Sequence, residues 1–150
     1  MASTAAVRRL APTTVQRAYL DHLAVERGVA ANTLVSYRRD LKRYATYLDR
    51  YGVVSIEAVD AAMVSGFLAY LREGDAEHPP LSATSAARAV VAVRGLHRFA
   101  LRDGLVVVDV AREVRPPRPP RRLPKAISVD DVERLLDAAG YQQTALALRD

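Results

Sequence analysis

The apolar residues of this 150-residue chain recur at every third or fourth position and almost nowhere at every second one. A chain that keeps the helical period and lacks strand alternation buries its apolar surface by packing helix on helix. Val15, Tyr19, Leu20, Leu23 and Ala24 share one face of a predicted helix over 14–27, and Gly28 follows in the position expected just past a helix end. Asn32 is placed to cap a second helix, from Thr33 to Arg50, stopped at Gly52. Asp60 caps a third that reaches Arg72, with Val64, Phe67, Leu68 and Leu71 inward. The segment EGDAEHPPLS reads as a turn-rich loop, after which Ser82 opens a fourth helix that runs to Asp103 and closes at Gly104. Four amphipathic helices with short loops make a compact all-α bundle.

Leu105–Val110 reads as a short extended piece, and the stretch REVRPPRPPRRLPK, Arg112–Lys125, follows it. Five of the chain's eight prolines fall between Pro116 and Pro124, among five basic residues and no acidic one after Glu113. Proline lacks an amide hydrogen and fixes φ, so this stretch is neither helix nor central strand but an extended, semi-rigid, positive strap. The expected organisation is a flexible N-terminus over 1–13, the bundle over 14–111, a basic linker over 112–126 and the first helix or two of a second domain over 127–150. Ser128 with Asp131 three residues on approximates a capping box. Val129, Val132, Leu135, Leu136 and Ala139 form the buried face of the helix it opens, Gly140 ends that helix, and another begins near Gln143. Some twenty-five residues cannot bury a core alone, so this part reads as the edge of something larger.

The absence of cysteine excludes a disulfide scaffold, a cysteine-based zinc site and thiol catalysis. His22, His78 and His97 show no metal-ligand spacing, so neither a metal nor a cofactor is expected. The apolar runs are too short to cross a bilayer, and the first ten residues lack a signal-peptide core, which fits a cytoplasmic chain. Charge is unevenly placed. Residues 126–150 carry two basic and five acidic groups, whereas residues 1–125 carry twenty basic and twelve acidic ones. A basic surface of this kind points to polyanions, nucleic acid first and acidic membranes second, or else serves solubility.

The position of the basic residues narrows that choice. On the second helix Leu34, Tyr37, Leu41, Tyr44 and Leu48 cluster within roughly 60°, and Arg38, Arg39, Lys42 and Arg43 fill an adjoining sector of roughly 140°. Like charges at i,i+4 repel by roughly 0.2–0.5 kcal/mol a pair, a cost that a bound polyanion would remove and that a merely solvated face would not. The fourth helix turns Ala86, Ala89, Val90, Val93, Leu96 and Ala100 inward, and lines up Arg94, Arg98 and Arg102 outside with Arg88 nearby. Gly95 lies in this basic face, where it serves either the close approach of a phosphate or tight packing on a neighbouring helix. Thr33, Thr84 and Ser85, near helix starts, offer short donors suited to a phosphate oxygen or to ordinary capping. The strap adds Arg118, Arg121, Arg122 and Lys125. A duplex major groove admits a helix, and arginine reaches phosphates or guanine edges there. Duplex DNA is therefore the expected partner, with no small-molecule ligand.

Three stretches together, YLDHLAVERGVAANTLVSYRRDL (Tyr19–Leu41), LSATSAARAVVAVRGLHRFALRDG (Leu81–Gly104) and RRLPKAISVDDVERLL (Arg121–Leu136), resemble the N-terminal half of tyrosine recombinases of the Xer type, on the XerD-like side. The resemblance implies a four-helix, SAM-like core-binding module that clamps one face of a recombination half-site through its second and fourth helices. It also implies a linker beside the DNA and a larger catalytic domain closing the clamp. Such enzymes act as a tetramer on two duplexes, here with a paralogous XerC-like recombinase. A tyrosine forms a 3′-phosphotyrosyl link before strands are exchanged and rejoined, and Xer pairs resolve chromosome dimers at cell division with a membrane-bound DNA translocase. The family's catalytic residues all lie in the second domain, beyond the point this chain reaches, so it is expected to hold no catalytic residue and to cut no DNA alone. Tyr19, Tyr37, Tyr44 and Tyr70 sit at core spacing, Tyr47 is expected to face solvent, and His97 is expected to be structural or DNA-adjacent. A phage integrase, or a non-catalytic regulator or helical interaction module on the same fold, are the alternatives.

Overall fold

The computed structural model describes residues 9–118, 120–121 and 128–146, with side chains described as far as residue 138. The regular elements of the described residues are all helical: α1 (Pro12–Val25), α2 (Ala31–Arg50), a single 3-10 turn (Ile56–Ala58), α3 (Ala61–Glu73), α4 (Ala83–Arg102) and α5 (Val129–Leu146). The chain divides into two compact units, Met1–Pro119 and Pro120–Asp150.

The first unit is the predicted bundle. α1 packs on α2 and α4, α2 also meets α3 and α4, and α3 closes against α4. Local chemistry sets most of the ends. Asp60 accepts from the Met63 amide at 2.7 Å and Ser82 Oγ from the Ser85 amide at 3.2 Å, so both predicted caps form. Gly28 at φ 57° and Gly104 at φ 69° take the left-handed conformation that a side chain would resist at a helix end. α1 begins two residues before the expected start because Pro12 fits a first turn, where its missing amide costs nothing. The Leu10 carbonyl then accepts from the Ile56 amide at 3.0 Å, so residues just ahead of α1 are already tied down, and the rest of the expected flexible N-terminus lies outside the described residues. α2 also begins early, at Ala31, with Ala30 flanking it and no side-chain cap; Asn32 is inside the helix rather than its cap.

Tyr44, Phe67, Leu41, Leu48, Ile56, Leu71 and Leu96 form the centre of the core. Tyr47 differs from expectation. It is 5 % exposed, packs on Phe67 and Tyr70, and its hydroxyl sits 2.6 Å from where a Cβ of Gly66 would stand. A larger residue at position 66 would evict it, so this glycine lets α3 approach α2 closely. Leu105–Val110 forms turns rather than an extended strand, with the Leu105 amide bonded back to the Ala100 carbonyl at 2.8 Å. Ala111 and Val114 then bury against the bundle, so the start of the basic stretch is held by it.

The loop from Gly74 to Leu81 is organised by one carboxylate. Burial disfavours its charge, but hydrogen bonds from Tyr70 and Arg50, and from the backbones of His78 and Glu77, hold Asp75 well below the usual carboxylate range.

In the second unit Ser128 caps α5 as read, its Oγ accepting from the Asp131 amide at 3.2 Å. The helix runs on through Gly140 and Tyr141 to Leu146, where a stop and a new start were expected. Val129, Val132, Leu135 and Leu136 are exposed rather than buried, from 41 % to 72 %, as befits a unit too small to cover an apolar face; Ala139 lies outside the described side chains.

Candidate nucleic-acid interface

A groove of about 540 Å³ opens between α1, the start of α2 and the outer face of α4. Arg94, Gly95, Arg98 and Arg102 line it from α4 with Val91 and Phe99, Thr33 and Tyr37 line it from α2, and Tyr19, His22, Leu23, Arg27 and Val29 complete it. Helical spacing explains the α4 wall: positions 91, 94, 95, 98 and 102 recur at three and four residues and share one face. Four guanidinium groups and no carboxylate line the groove. Among the described residues no carboxylate lies within 4 Å of the cationic groups of Arg27, Arg94 or Arg98. Burial pushes the Tyr19 hydroxyl up to about 12, with Tyr37 adding to the rise and Arg27 and Arg98 opposing it. It therefore stays protonated and able to donate.

Arg102 is restrained. Its Nη2 is 3.3 Å from His22 Nε2, its Nε 3.4 Å from Asp103, and its guanidinium lies over the Phe99 ring at 5.6 Å. Arg94 donates to the Arg112 carbonyl over a long 3.4 Å and otherwise faces the groove. Gly95 resolves toward packing: an added Cβ would overlap the Tyr19 hydroxyl and stand 2.9 Å from Tyr19 Cζ. The glycine admits α1, and its place in the basic face follows from that.

Other candidates lie elsewhere. Arg38, Arg39 and Lys42 are exposed on α2 but do not line the groove, although Arg38 follows groove-lining Tyr37 directly. Arg43 is half-buried and turned toward α3, over the Tyr70 ring at 5.4 Å and 3.4 Å from the Pro79 carbonyl. Arg88 is bound to Asp40 at 2.8 Å. Thr84 is exposed on the first turn of α4, while the Ser85 amide is taken by the Ser82 cap. Arg118 and Arg121 are exposed in their separate units; Arg122 and Lys125 lie outside the described residues. Arg27, absent from the sequence-based set, sits past the end of α1 where no periodicity marks it.

His97 is structural. It is 1 % exposed, its Nε2 lies 2.9 Å from the Tyr44 hydroxyl, and burial lowers its pKa to about 4. No group of three potential metal ligands occurs among the described residues. No helix among them is long and apolar enough to cross a membrane.

The bundle has known relatives. Residues 17–104 match the family described as phage integrase, N-terminal SAM-like domain, and the chain belongs to that family. It is XerD-like: tyrosine recombinase XerD of Mycobacterium tuberculosis is 58 % identical over 124 residues, covering 81 % of this chain and 40 % of the relative. XerD of Mycobacterium leprae is 54 % identical over 134 residues, 88 % of this chain and 42 % of the relative. Tyrosine recombinase XerC of Azotobacter vinelandii is 37 % identical over 134 residues, 89 % and 42 %. The chain thus spans about two fifths of the length of these relatives. The crystal structure of the N-terminal domain of a phage integrase/site-specific recombinase from Haloarcula marismortui shares the fold, with a TM-score of 0.64 at 16 % identity over 73 % of this chain and 98 % of that one.

Proposed function

We propose that this chain is the DNA-binding part of a site-specific tyrosine recombinase, and that the groove between α1, α2 and α4 seats the backbone of a duplex. The observation that carries this is the convergence of Arg27, Arg94, Arg98 and Arg102 on one groove without a carboxylate in its lining. Guanidinium groups in such a setting bind phosphate through charge-assisted, two-point contacts. Arg38, Arg39 and Lys42 extend the positive surface along α2, Thr33 and Thr84 add short donors, and the basic stretch with Arg118, Arg121, Arg122 and Lys125 links the bundle to a catalytic domain that begins near residue 127. In the complete protein a tyrosine of that domain cuts and rejoins strands through a phosphotyrosyl intermediate. The similarity to both XerD and XerC supports a XerC-like recombinase as partner. A heterotetramer at a recombination site in the cytoplasm, resolving chromosome dimers at cell division alongside a DNA translocase, is part of the same proposal.

Fluorescence anisotropy on a duplex across a salt series tests the reading. Four to eight phosphate contacts give a log–log slope of about −4 to −7. The quadruple alanine variant at Arg27, Arg94, Arg98 and Arg102, checked for folding by circular dichroism, is expected to lose most of that slope. Wild-type affinity in the folded variant overturns the assignment.

A further inference from the structure

We infer that Val91 contacts the 5-methyl group of a thymine and is a sequence-reading residue of this groove; the inference rests on the DNA-binding reading above.

The outward face of α4 carries Thr84, Arg88, Val91, Arg94, Gly95, Arg98 and Arg102 in order. Arg88 is committed to Asp40, and Gly95 carries no side chain and is covered by Tyr19. What α4 presents to the groove is therefore a row of guanidinium groups with one valine at its head; its other exposed large apolar residue, Leu101, is 40 % exposed and does not line the groove. Val91 is 46 % exposed, whereas Leu23 and Phe99 of the same groove are buried and Val29 is half-buried. It is the one exposed apolar side chain among the described residues of the lining.

A branched hydrocarbon has nothing to offer a phosphate, which wants donors. In the major groove, however, thymine alone among the four bases presents a methyl group, and small apolar side chains are what recognise it. The neighbouring guanidinium groups on the next two turns, Arg94 and Arg98, hold phosphates or guanine edges beside that contact. Val91 thus supplies sequence information where the arginines supply mainly register.

The chain itself selects a preferred duplex from a random library, and each thymine in that duplex is then replaced singly by deoxyuridine, which removes only the methyl. Affinities are measured for the wild type, Val91→Ser and Val91→Ile, with thermal melts confirming folding. One position is expected at which uracil weakens the wild type about fourfold, the worth of one buried methyl. Val91→Ser is expected to bind both duplexes alike, and Val91→Ile to keep the preference. A structural role for Val91 would change affinity equally on every duplex. Uracil penalties that are identical in the wild type and Val91→Ser, or absent everywhere, overturn the inference and leave DNA binding standing. A chain with no salt-dependent duplex affinity overturns both.

Discussion

Arg88 on α4 grips Asp40 on α2 at two points, Nε to Oδ2 at 2.8 Å and Nη2 to Oδ1 at 3.1 Å, and the carboxylate is only 5 % exposed. The hydrogen bonds to Asp40 raise the pKa of Arg88 further above an already high value, so its guanidinium is charged at any ordinary pH. It lies one turn from groove-lining residues on both helices, Tyr37 before Asp40 and Val91 after Arg88. Its work is to fix the spacing of the two groove walls. Arg88→Ala strands a buried carboxylate and is expected to cost about 1–3 kcal/mol in urea melts. At temperatures where the variant stays folded, its salt slope for DNA should equal that of the wild type. A slope smaller by about one unit would return Arg88 to the phosphate-binding set.

Gly95 and Tyr19 make a second packing test. Alanine should gain about 1 kcal/mol of helix propensity at position 95. The Tyr19 ring occupies the space its methyl needs, and forced overpacking costs about 1–3 kcal/mol. Gly95→Ala should therefore destabilise the bundle despite its better propensity. Tyr19→Phe removes the hydroxyl that clashes first, so the double variant should recover part of the loss, and a double-mutant cycle should give a coupling above about 0.5 kcal/mol. Independent, additive effects would remove this account of the glycine.

The part of the fold legible in the sequence was the part set by neighbours along the chain. The Asp60 and Ser82 caps and the glycine after α1 act within one helical turn, and each was where the pattern placed it. The α4 row at 94, 98 and 102 was legible for the same reason. Tyr47 was not, because it sits about 80° from Tyr37 around α2 and is buried only by the arrival of α3. The pairing of Arg88 was not legible because its partner Asp40 lies 48 residues away. Arg43 looked like its doublet partner Lys42, yet α3 and its loop draw it over Tyr70. Charge on a helix face can be counted from sequence; which charges a neighbouring element neutralises depends on packing.

The buried imidazole gives the bundle a predictable pH response. His97 has a folded pKa of about 4 against 6.5 for the free side chain, because burial disfavours the charged ring. The unfolded chain therefore binds more protons than the folded one in that interval, and stability rises with pH there. The contribution is complete above about pH 6.5 and is lost progressively as pH falls toward about 4, to the extent of about 3 kcal/mol. Urea melts of the wild type from pH 7 to pH 4.5 should show the decline, and His97→Gln should show a shallower one from a lower starting stability. Parallel profiles for the two proteins would mean that His97 does not titrate with folding.

Arg27 tests whether the groove, rather than the outer face of α2, is the main phosphate seat. It lies just past α1, lines the groove opposite the α4 row, and has no carboxylate within 4 Å among the described residues. If a duplex backbone enters the groove, Arg27→Ala should lower the magnitude of the salt slope by about one unit and weaken binding about equally on all sequences. Because Arg27 is exposed, the melting temperature should hardly move. The triple variant at Arg38, Arg39 and Lys42 serves as the counterpart on the face outside the groove lining. A DNA lying mainly along the outer face of α2 would reverse the ranking, with the triple variant abolishing the slope and Arg27→Ala leaving it intact. A DNA seated in the groove should leave the triple variant with most of its slope, since Arg94, Arg98 and Arg102 remain beside Arg27 to hold the backbone.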